Sequence, residues 1–449
     1  MSNSAARAAI ILAAGQGTRM KSATPKVLHA VAGRPILGHA IAAVRAAGAG
    51  RIVVVIAPDA DAVRAYAEKE GAVCVVQDKQ LGTGHAAAAA APALKDFSGV
   101  VVVTYGDHPL FAPATFEASF AAREKGGMAI VAFHSKSMAY GRVIADGGGM
   151  LDRIVEYKDA NESERKVQLC NAGILAADAQ SFFGWAAKLK NQNAQSEYYL
   201  TDVPQIAKAD DVRCAIVEAD ERETMGVNSR AELAAAEAEM QRTLRARALD
   251  NAVGMIAPET VHLSYDTVLE SDCTVEPYVV FAGGVTVRSG ARIRAFSHLE
   301  GCEVGNGAIV GPYARLRPGA VLEENVHIGN FVEVKNTRVE KGAKANHLTY
   351  LGDARVGAGA NIGAGTITCN YDGFDKSLTD IGAGAFIGSN TSLVAPVKIG
   401  DGAIVGAGSV ITDSVMDNAL AVTRSEQKEI EGWGAKFRAR KKAEKAKKG

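Results

Sequence analysis

The chain changes its hydrophobic rhythm near residue 253. Before that point, short continuous aliphatic runs stand apart from one another: Ala9-Ile-Ile-Leu-Ala13, Arg51-Ile-Val-Val-Val-Ile56, Val73-Cys-Val-Val76, Val100-Val-Val-Val-Thr104 and Met128-Ala-Ile-Val-Ala-Phe133. Alanine-rich stretches such as Ile36–Ala47 and Ala60–Glu70 lie between them. Runs that do not alternate are strands buried on both faces, and helices between them predict a mostly parallel sheet covered on both sides. Ligands of such sheets bind at the carboxyl ends of the strands. Residues 229–251 are rich in Ala, Glu and Arg and contain no Gly or Pro, which predicts one long helix connecting this part to the next.

Beyond that helix the period is six. Stepping by six from Leu269 gives Val275, Phe281, Val287, Ile293 and Leu299; one residue is dropped, and from Val304 the same step gives Val310, Leu316, Leu322, Ile328 and Val334. From Ile381 it gives Ile387, Leu393, Ile399, Val405 and Ile411. All of these positions are apolar, and Ile362-Gly-Ala-Gly-Thr, Ile381-Gly-Ala-Gly-Ala, Ile387-Gly-Ser-Asn-Thr, Ile399-Gly-Asp-Gly-Ala and Val405-Gly-Ala-Gly-Ser repeat the same short pattern. A hexad predicts a parallel β-helix, in which each side of a narrow triangular prism takes one bulky aliphatic and small residues turn the corners. Three hexads close a coil, so residues 254–420 supply roughly nine coils stacked about 4.8 Å apart. Cys369–Asp380 breaks the period and reads as an extruded loop. Of the 47 glycines, 24 fall in residues 254–430, in line with a corner-rich architecture there.

Composition narrows the class. The 449 residues are 48% hydrophobic and 22% charged, a globular balance. Fifty Lys and Arg against fifty Asp and Glu argue against a nucleic-acid coat protein or a basic membrane-surface protein. No apolar run is long enough to span a bilayer. Ala8–Ala14 is short and is followed by Gly15-Gln16-Gly17-Thr18-Arg19, which is no cleavage-site pattern. The six cysteines are scattered without a C-x-x-C pair, as reduced thiols in a cytoplasm would be. From Glu426 the repeat stops. Eight Lys and Arg against one Glu between Lys436 and Lys448 predict a solvated, partly disordered tail with no nucleic-acid or membrane role.

Candidate chemistry follows the strand ends. The first strand runs into Ala14-Gly15-Gln16-Gly17-Thr18-Arg19-Met20, whose glycines let backbone N–H groups approach phosphate. Met20 stands where a dinucleotide fingerprint needs its third glycine, and no Gly-Lys-Ser/Thr is present for a Walker loop. Pro25-Lys26 adds a cation. Gln80-Leu-Gly-Thr-Gly-His85 opens a helix, and the fourth strand ends in Tyr105-Gly-Asp107-His108-Pro-Leu110, with an aspartate placed to ligate Mg²⁺ or to cap a helix. In the second part, Arg315-Leu-Arg317-Pro-Gly319, Phe331-Val-Glu-Val-Lys335 and Ala345-Asn-His347-Leu-Thr-Tyr350-Leu-Gly-Asp353 set polar side chains among the hexads. Residues about 18 apart share a prism face, so Arg317, Lys335 and the His347–Tyr350 segment can gather cations and a base.

The first set resembles the sugar-phosphate nucleotidyltransferases, L-A-A-G-x-G-T-R-M…P-K…G-T-x-x-A…G-D-x-P-L being matched in order and spacing. Tyr140-Gly-Arg142, Ile154-Val-Glu156-Tyr-Lys158 and Asn171-Ala-Gly173 continue it, with Ala172 where that family more often has Thr. The second part resembles the left-handed β-helix acyltransferases. G-P-Y-A-R-L-R-P-G, H-L-T-Y-L-G-D and N-I-G-A-G-T-I-T-C-N-Y-D-G extend the resemblance, from about Ala8 to Arg424, to the bifunctional N-acetylglucosamine-1-phosphate uridyltransferase/glucosamine-1-phosphate acetyltransferase family. Asn346 stands where that family more often has Gly.

The resemblance implies an α/β nucleotidyltransferase domain, Rossmann-like with a mostly parallel sheet, followed by a left-handed β-helix: residues 1–228, a connector helix 229–251, the acetyltransferase domain 252–425 and a basic tail 426–449. It implies that Leu12, Ala13, Ala14, Gly15, Gln77, Gly82 and Thr83 cradle uridine, and that Arg19 and Lys26 meet the phosphates. Tyr105, Gly106, Gly141, Glu156 and Asn171 lie at the sugar, and Asp107 and Asn228 ligate Mg²⁺. His347 is then the general base of acetyl transfer, with Arg317, Lys335, Tyr350 and Asn361 at the sugar phosphate. Ala364, Asn370, Tyr371, Ser389, Ala407 and Arg424 line the acetyl-CoA site. The implied substrates are UTP, N-acetylglucosamine 1-phosphate, glucosamine 1-phosphate and acetyl-CoA, the product is UDP-N-acetylglucosamine for envelope synthesis, and the implied assembly is a cytoplasmic homotrimer. Three other readings compete: a uridylyltransferase with a regulatory β-helix, a β-helix metal enzyme using His298, His327 and His347, and a structural trimerisation scaffold. The residues His347, Tyr350 and Asn361 weigh against the first, and the scattered register of the histidines against the second.

Overall fold

The computed structural model describes residues 6–137, 140–193 and 195–447, so Lys448 at the end of the basic run lies outside it. Contacts divide the chain into two units that meet between Ala246 and Arg247, near the end of the helix Arg230–Asp250.

In the first unit the aliphatic runs become β1 (Arg7–Leu12), β2 (Arg51–Ile56), β3 (Val73–Val76), β4 (Val100–Tyr105) and β5 (Gly127–His134). A hairpin follows, β6 (Arg142–Ala145) and β7 (Leu151–Val155), then β8 (Leu169–Asp178) and β9 (Arg213–Glu218). The strand order is β9-β5-β8-β4-β1-β2-β3, with the hairpin attached to β8. Pairing is parallel among β1–β4 and between β5 and β9, whereas β8 runs antiparallel between β4 and β5. Alternate side chains of each buried strand feed opposite faces: Ile11, Val54, Val102 and Val131 join one core, and Ile10, Val53, Val103 and Ile130 the other. β3 is the edge strand, and Val73 is half exposed there. Helices Ile36–Ala46 and Asp61–Lys69 stand where the alanine-rich stretches placed them. The long helix lays Ala236 against Met20, Val31, Ile36 and Val227.

In the second unit every strand of the hexad ladder carries its aliphatic inward. Phe281, Val287, Ile293, Leu299, Val304, Val310 and Leu316 are fully buried. One face stacks ten strands, and the other two share a 14-stranded sheet because Glu333–Val339 and Tyr350–Val356 run on around a corner. This is the left-handed parallel β-helix. The pairing gives the coil length directly. Val275 pairs with Ile293, a step of 18, and Ile293 with Val310, a step of 17, where the dropped residue falls. Ile362 pairs with Ile387, a step of 25, so the surplus is extruded between strands Ile367–Cys369 and Thr379–Ile381. Tyr371 and Lys376 bridge that loop as a small hairpin.

One expectation is corrected. The basic tail forms a helix, Trp433–Ala446, in which Trp433 and Phe437 stack at 5.1 Å. Its spaced alanines and long cationic side chains have good helix propensity, which orders the segment despite its run of like charge. None of its residues is buried.

The ladder generates a stability prediction. Ile293→Ala removes a fully buried side chain with little room to collapse and should cost about 2–5 kcal/mol. Arg292→Ala, on the exposed neighbour, should stay within about 0.5 kcal/mol. The unfolding transition of the second unit in urea measures both, and equal effects would contradict the inward ladder.

Candidate functional sites

Each unit carries its own constellation. In the first, the carboxyl ends of β1 and β4 open on a cavity of about 300 Å³. Leu12, Ala13, Ala14, Gly15, Lys26, Gln77, Gly82, Thr83, Tyr105 and Asp107 line it. The glycine loop is shaped by what passes it: Gly17 has φ 61°, and a Cβ there would lie 2.6 Å from Lys26 Cβ. Gly82 has φ 109°, and a Cβ would lie 2.6 Å from the Tyr198 carbonyl. The Gly84 amide donates to that carbonyl at 2.8 Å, so the loop around Tyr198 closes one wall.

At the polar end, Lys26 Nζ donates to Asp107 Oδ2 at 2.5 Å and to Asn228 Oδ1 at 2.9 Å. Two hard oxygen donors therefore converge on one cation. Burial pushes the Asp107 carboxyl up, but His108 and Lys26 together outweigh burial and hold it well below the usual carboxylate range. Among the described residues no group of three or more His, Cys, Asp and Glu gathers for a metal. A metal bound by two protein oxygens and completed by phosphates and water is the arrangement that suits Mg²⁺.

A second cluster adjoins Tyr105, which shares a small cavity with Asn171 and Thr201. Asn171 donates its backbone N–H to the Gly141 carbonyl at 2.9 Å and accepts from the Gly173 amide at 3.1 Å through Oδ1. Gly141 leaves the space beside the Glu156 carboxylate, where a Cβ would sit 3.3 Å from either oxygen. Burial, then Asp159 and Asp202, raises Glu156 above its ordinary range although Thr201 donates to it. Burial, with Asp107 and Glu156 adding, also pushes the Tyr105 phenol up. Gly106 continues β4 and donates its amide to the Leu12 carbonyl at 2.8 Å. Arg19 does not line the cavity; it sits exposed on the turn Thr18–Met20.

Sequence reasoning passed over Gln80, whose amide donates to the Ala14 carbonyl at 2.5 Å and lines the cavity. It begins the quoted Gln80–His85 run, so its position was visible and its role was not. Glu197, also lining the cavity, comes from a loop with no motif at all.

In the second unit the coil register assembles the set. Arg317 donates its amide to the Val334 carbonyl, which places it one coil from Lys335 on the same face. Arg317 pairs with Glu333 at 2.8 Å, and Glu333 is in register with Tyr350. Lys335 lies 3.9 Å from Asp353, which also accepts from Asn370 in the extruded loop. His347 stands just before the corner leading to Tyr350, exposed, with Nδ1 2.7 Å from Asn330 Oδ1 on the coil before.

That corner continues upward. The Gly365 amide bonds Leu348, the Asn390 amide bonds Ala364 and the Gly408 amide bonds Ser389, while Arg424 Nη1 donates to the Ala407 carbonyl at 2.7 Å. His347, Ala364, Ser389, Ala407 and Arg424 thus follow one another coil by coil along one edge. Tyr371 is exposed on the extruded loop. Asn361 is on the ten-stranded face, in register with Lys344 and Phe386, and is not brought onto the Arg317–Lys335 face. His298 lies on a different face from His327 and His347.

Residues 9–175 match the family model of MobA-like NTP transferase domains, and residues 301–336 and 379–413 match that of bacterial transferase hexapeptides. The chain is 52% identical over 445 residues to the bifunctional protein GlmU of Paramagnetospirillum magneticum, covering 98% of each chain. It is 51% identical to that of a Jannaschia species, covering 97% of this chain and 96% of the relative, and 48% identical to that of Zymomonas mobilis, covering 97% and 98%.

Proposed function

The chain belongs to the GlmU family of bifunctional proteins, enzymes of UDP-N-acetylglucosamine synthesis, and we propose how its residues divide the two reactions between the two units. It acetylates glucosamine 1-phosphate with acetyl-CoA, then transfers uridylyl from UTP to N-acetylglucosamine 1-phosphate and releases pyrophosphate.

Uridyl transfer belongs to the first unit. Leu12–Gly15, Gln77, Gly82 and Thr83 hold the uridine. Lys26 neutralises phosphate in the cavity and Arg19, exposed on the turn Thr18–Met20, meets phosphate that reaches beyond it, and Tyr105, Gly106, Gly141, Glu156 and Asn171 hold the sugar. Asp107 and Asn228 hold Mg²⁺, which when bound neutralises charge on the triphosphate. A phosphate oxygen of the sugar attacks the α-phosphorus in line and the bond to pyrophosphate breaks. Such a step asks the protein for position and charge, and a cavity lined by Lys26 and Asp107, with Asn228 held to Lys26 behind them, supplies both.

Acetyl transfer belongs to the second. The ammonium of glucosamine 1-phosphate must lose a proton before its nitrogen can attack the thioester carbonyl and expel the CoA thiolate. Asn330 Oδ1, facing Nδ1 of His347, favours the tautomer with the proton on Nδ1 and leaves Nε2 to act as base. Arg317, Lys335 and Tyr350 of one chain hold the sugar phosphate and Asn361 meets it from a neighbouring copy, while Ala364, Asn370, Tyr371, Ser389, Ala407 and Arg424 hold acetyl-CoA. The observation that carries this reading is the coil-by-coil line from His347 through Ala364, Ser389 and Ala407 to Arg424, a track for an extended donor that ends at the base.

The acting form is a cytoplasmic homotrimer. Tyr278, Phe296, Tyr313 and Phe331 stack at 5.1, 4.9 and 5.3 Å along the corner below Leu348, each about half exposed. All five have φ between 50° and 61°, a conformation that costs an L-residue roughly 1–2 kcal/mol. An exposed aromatic ladder loses its apolar surface from water when another copy covers it, and such a copy also shelters the exposed His347. Free cysteines support a reducing compartment, and no helix among the described residues is long and apolar enough to cross a membrane.

Three expected outcomes test the division. His347→Ala should slow acetyl transfer by roughly 10²–10⁴-fold while uridyl transfer and sedimentation stay at wild type; a well-assembled variant with near-normal acetyl transfer would remove His347 from the mechanism. Asp107→Ala should abolish pyrophosphate release at ordinary Mg²⁺, and a normal rate would withdraw the ligand assignment. Deleting residues 431–449 should spare uridyl transfer and let any loss fall on acetyl transfer or solubility; a folded truncation without uridyl transfer would contradict the separation.

A further inference from the structure

The variable position of G-D-x-P-L is occupied here by His108, and nothing in the mechanism above uses it. Its surroundings are specific. Nδ1 lies 2.8 Å from Asp107 Oδ1, and because a carboxylate only accepts, that nitrogen carries the proton. The ring is held between Tyr105 and Phe111, with centroids 5.4 and 5.7 Å away, the second stacked at 19°. Gly226 closes the remaining side so tightly that a Cβ would lie 3.0 Å from Cε1 and Nε2. The next residue, Val227, donates its amide to the Asp107 carbonyl at 2.9 Å, and the one after it is Asn228.

His108 therefore touches one of the two oxygen donors and the segment that leads to the other. It occupies Oδ1 of Asp107, which leaves Oδ2 to Lys26, and it packs against the glycine two residues before Asn228. Resting on the reading of Asp107 and Asn228 as ligands of the divalent cation, we propose that His108 is a positioning residue of this cation site, fixing the carboxylate rotamer and the approach of the Asn228 segment. A carboxylate ligand that lacks its outer partner rotates, and metal affinity falls by typically 10–100-fold.

The test is the Mn²⁺ dissociation constant of the full-length enzyme–UTP complex without sugar phosphate, read by water-proton relaxation enhancement against Mn²⁺–UTP alone, so that no turnover is required. His108→Leu keeps bulk and removes the donor; it should weaken Mn²⁺ by about 10–100-fold and raise the Mg²⁺ needed for half-maximal rate more than it lowers kcat at saturating Mg²⁺. His108→Asn, whose amide can replace Nδ1–H, should recover most of the affinity. A folded Leu variant that binds Mn²⁺ like wild type overturns the proposal. If the Leu variant does not fold, Gly226→Ala, which presses on the ring, takes its place: a weakened constant supports the proposal and an unchanged one overturns it. Asp107→Ala in the same assay separates the two readings, because unchanged Mn²⁺ binding there means that the ligand assignment itself has failed.

Discussion

Aliphatic side chains on parallel strands must be sheltered at every step, and both units are answers to that constraint. In the first unit Val and Ile runs are covered on two faces by helices. In the second the chain wraps on itself so that each hexad delivers one side chain to the prism interior. Because aliphatics take the inward positions, chemistry is left to strand ends in one unit and to corners and outward positions in the other.

The consequence in the sheet is a cavity floored by β1 and β4, where Lys26, Asp107 and Asn228 share one charge centre drawn from three distant stretches of sequence. In the β-helix, register does the same work. A coil of 17 or 18 residues converts sequence spacing into vertical stacking, so that Arg317 and Lys335 become neighbours and His347 stands in line with Ala364, Ser389 and Ala407. The 25-residue coil adds a loop carrying Asn370 and Tyr371 without disturbing the ladder.

How much could be read beforehand follows from the same physics. The hexad is a strict steric requirement, and so its strands and the extruded loop were legible; the continuous aliphatic runs marked β1 to β5 for the same reason. β8 was not, because its first half carries Asn171 and Gly173 and shifts register between Asn171 and Leu175, which erases a continuous apolar run. Motif residues could be named, Gly82 for its tight backbone and Asp107 for its place at the end of β4. Gln80 could not be assigned a role, since its amide reaches the carbonyl of Ala14 from 66 residues away, and Glu197 stands in a loop without a motif. The tail was read from its charge alone, which hid the helix propensity of its alanines. Asn361 shows the opposite limit, a residue named by resemblance that a single chain does not bring to its expected neighbours.

One polypeptide carries out two transfers in sequence, one in each unit. Incubating the purified chain with glucosamine 1-phosphate, acetyl-CoA, UTP and Mg²⁺, and omitting each donor in turn, tests it most directly. UDP-N-acetylglucosamine should form only when both donors are present, with N-acetylglucosamine 1-phosphate accumulating when UTP is withheld. A nucleotide sugar formed at full rate without acetyl-CoA, or no acetylated sugar phosphate in the absence of UTP, would contradict it.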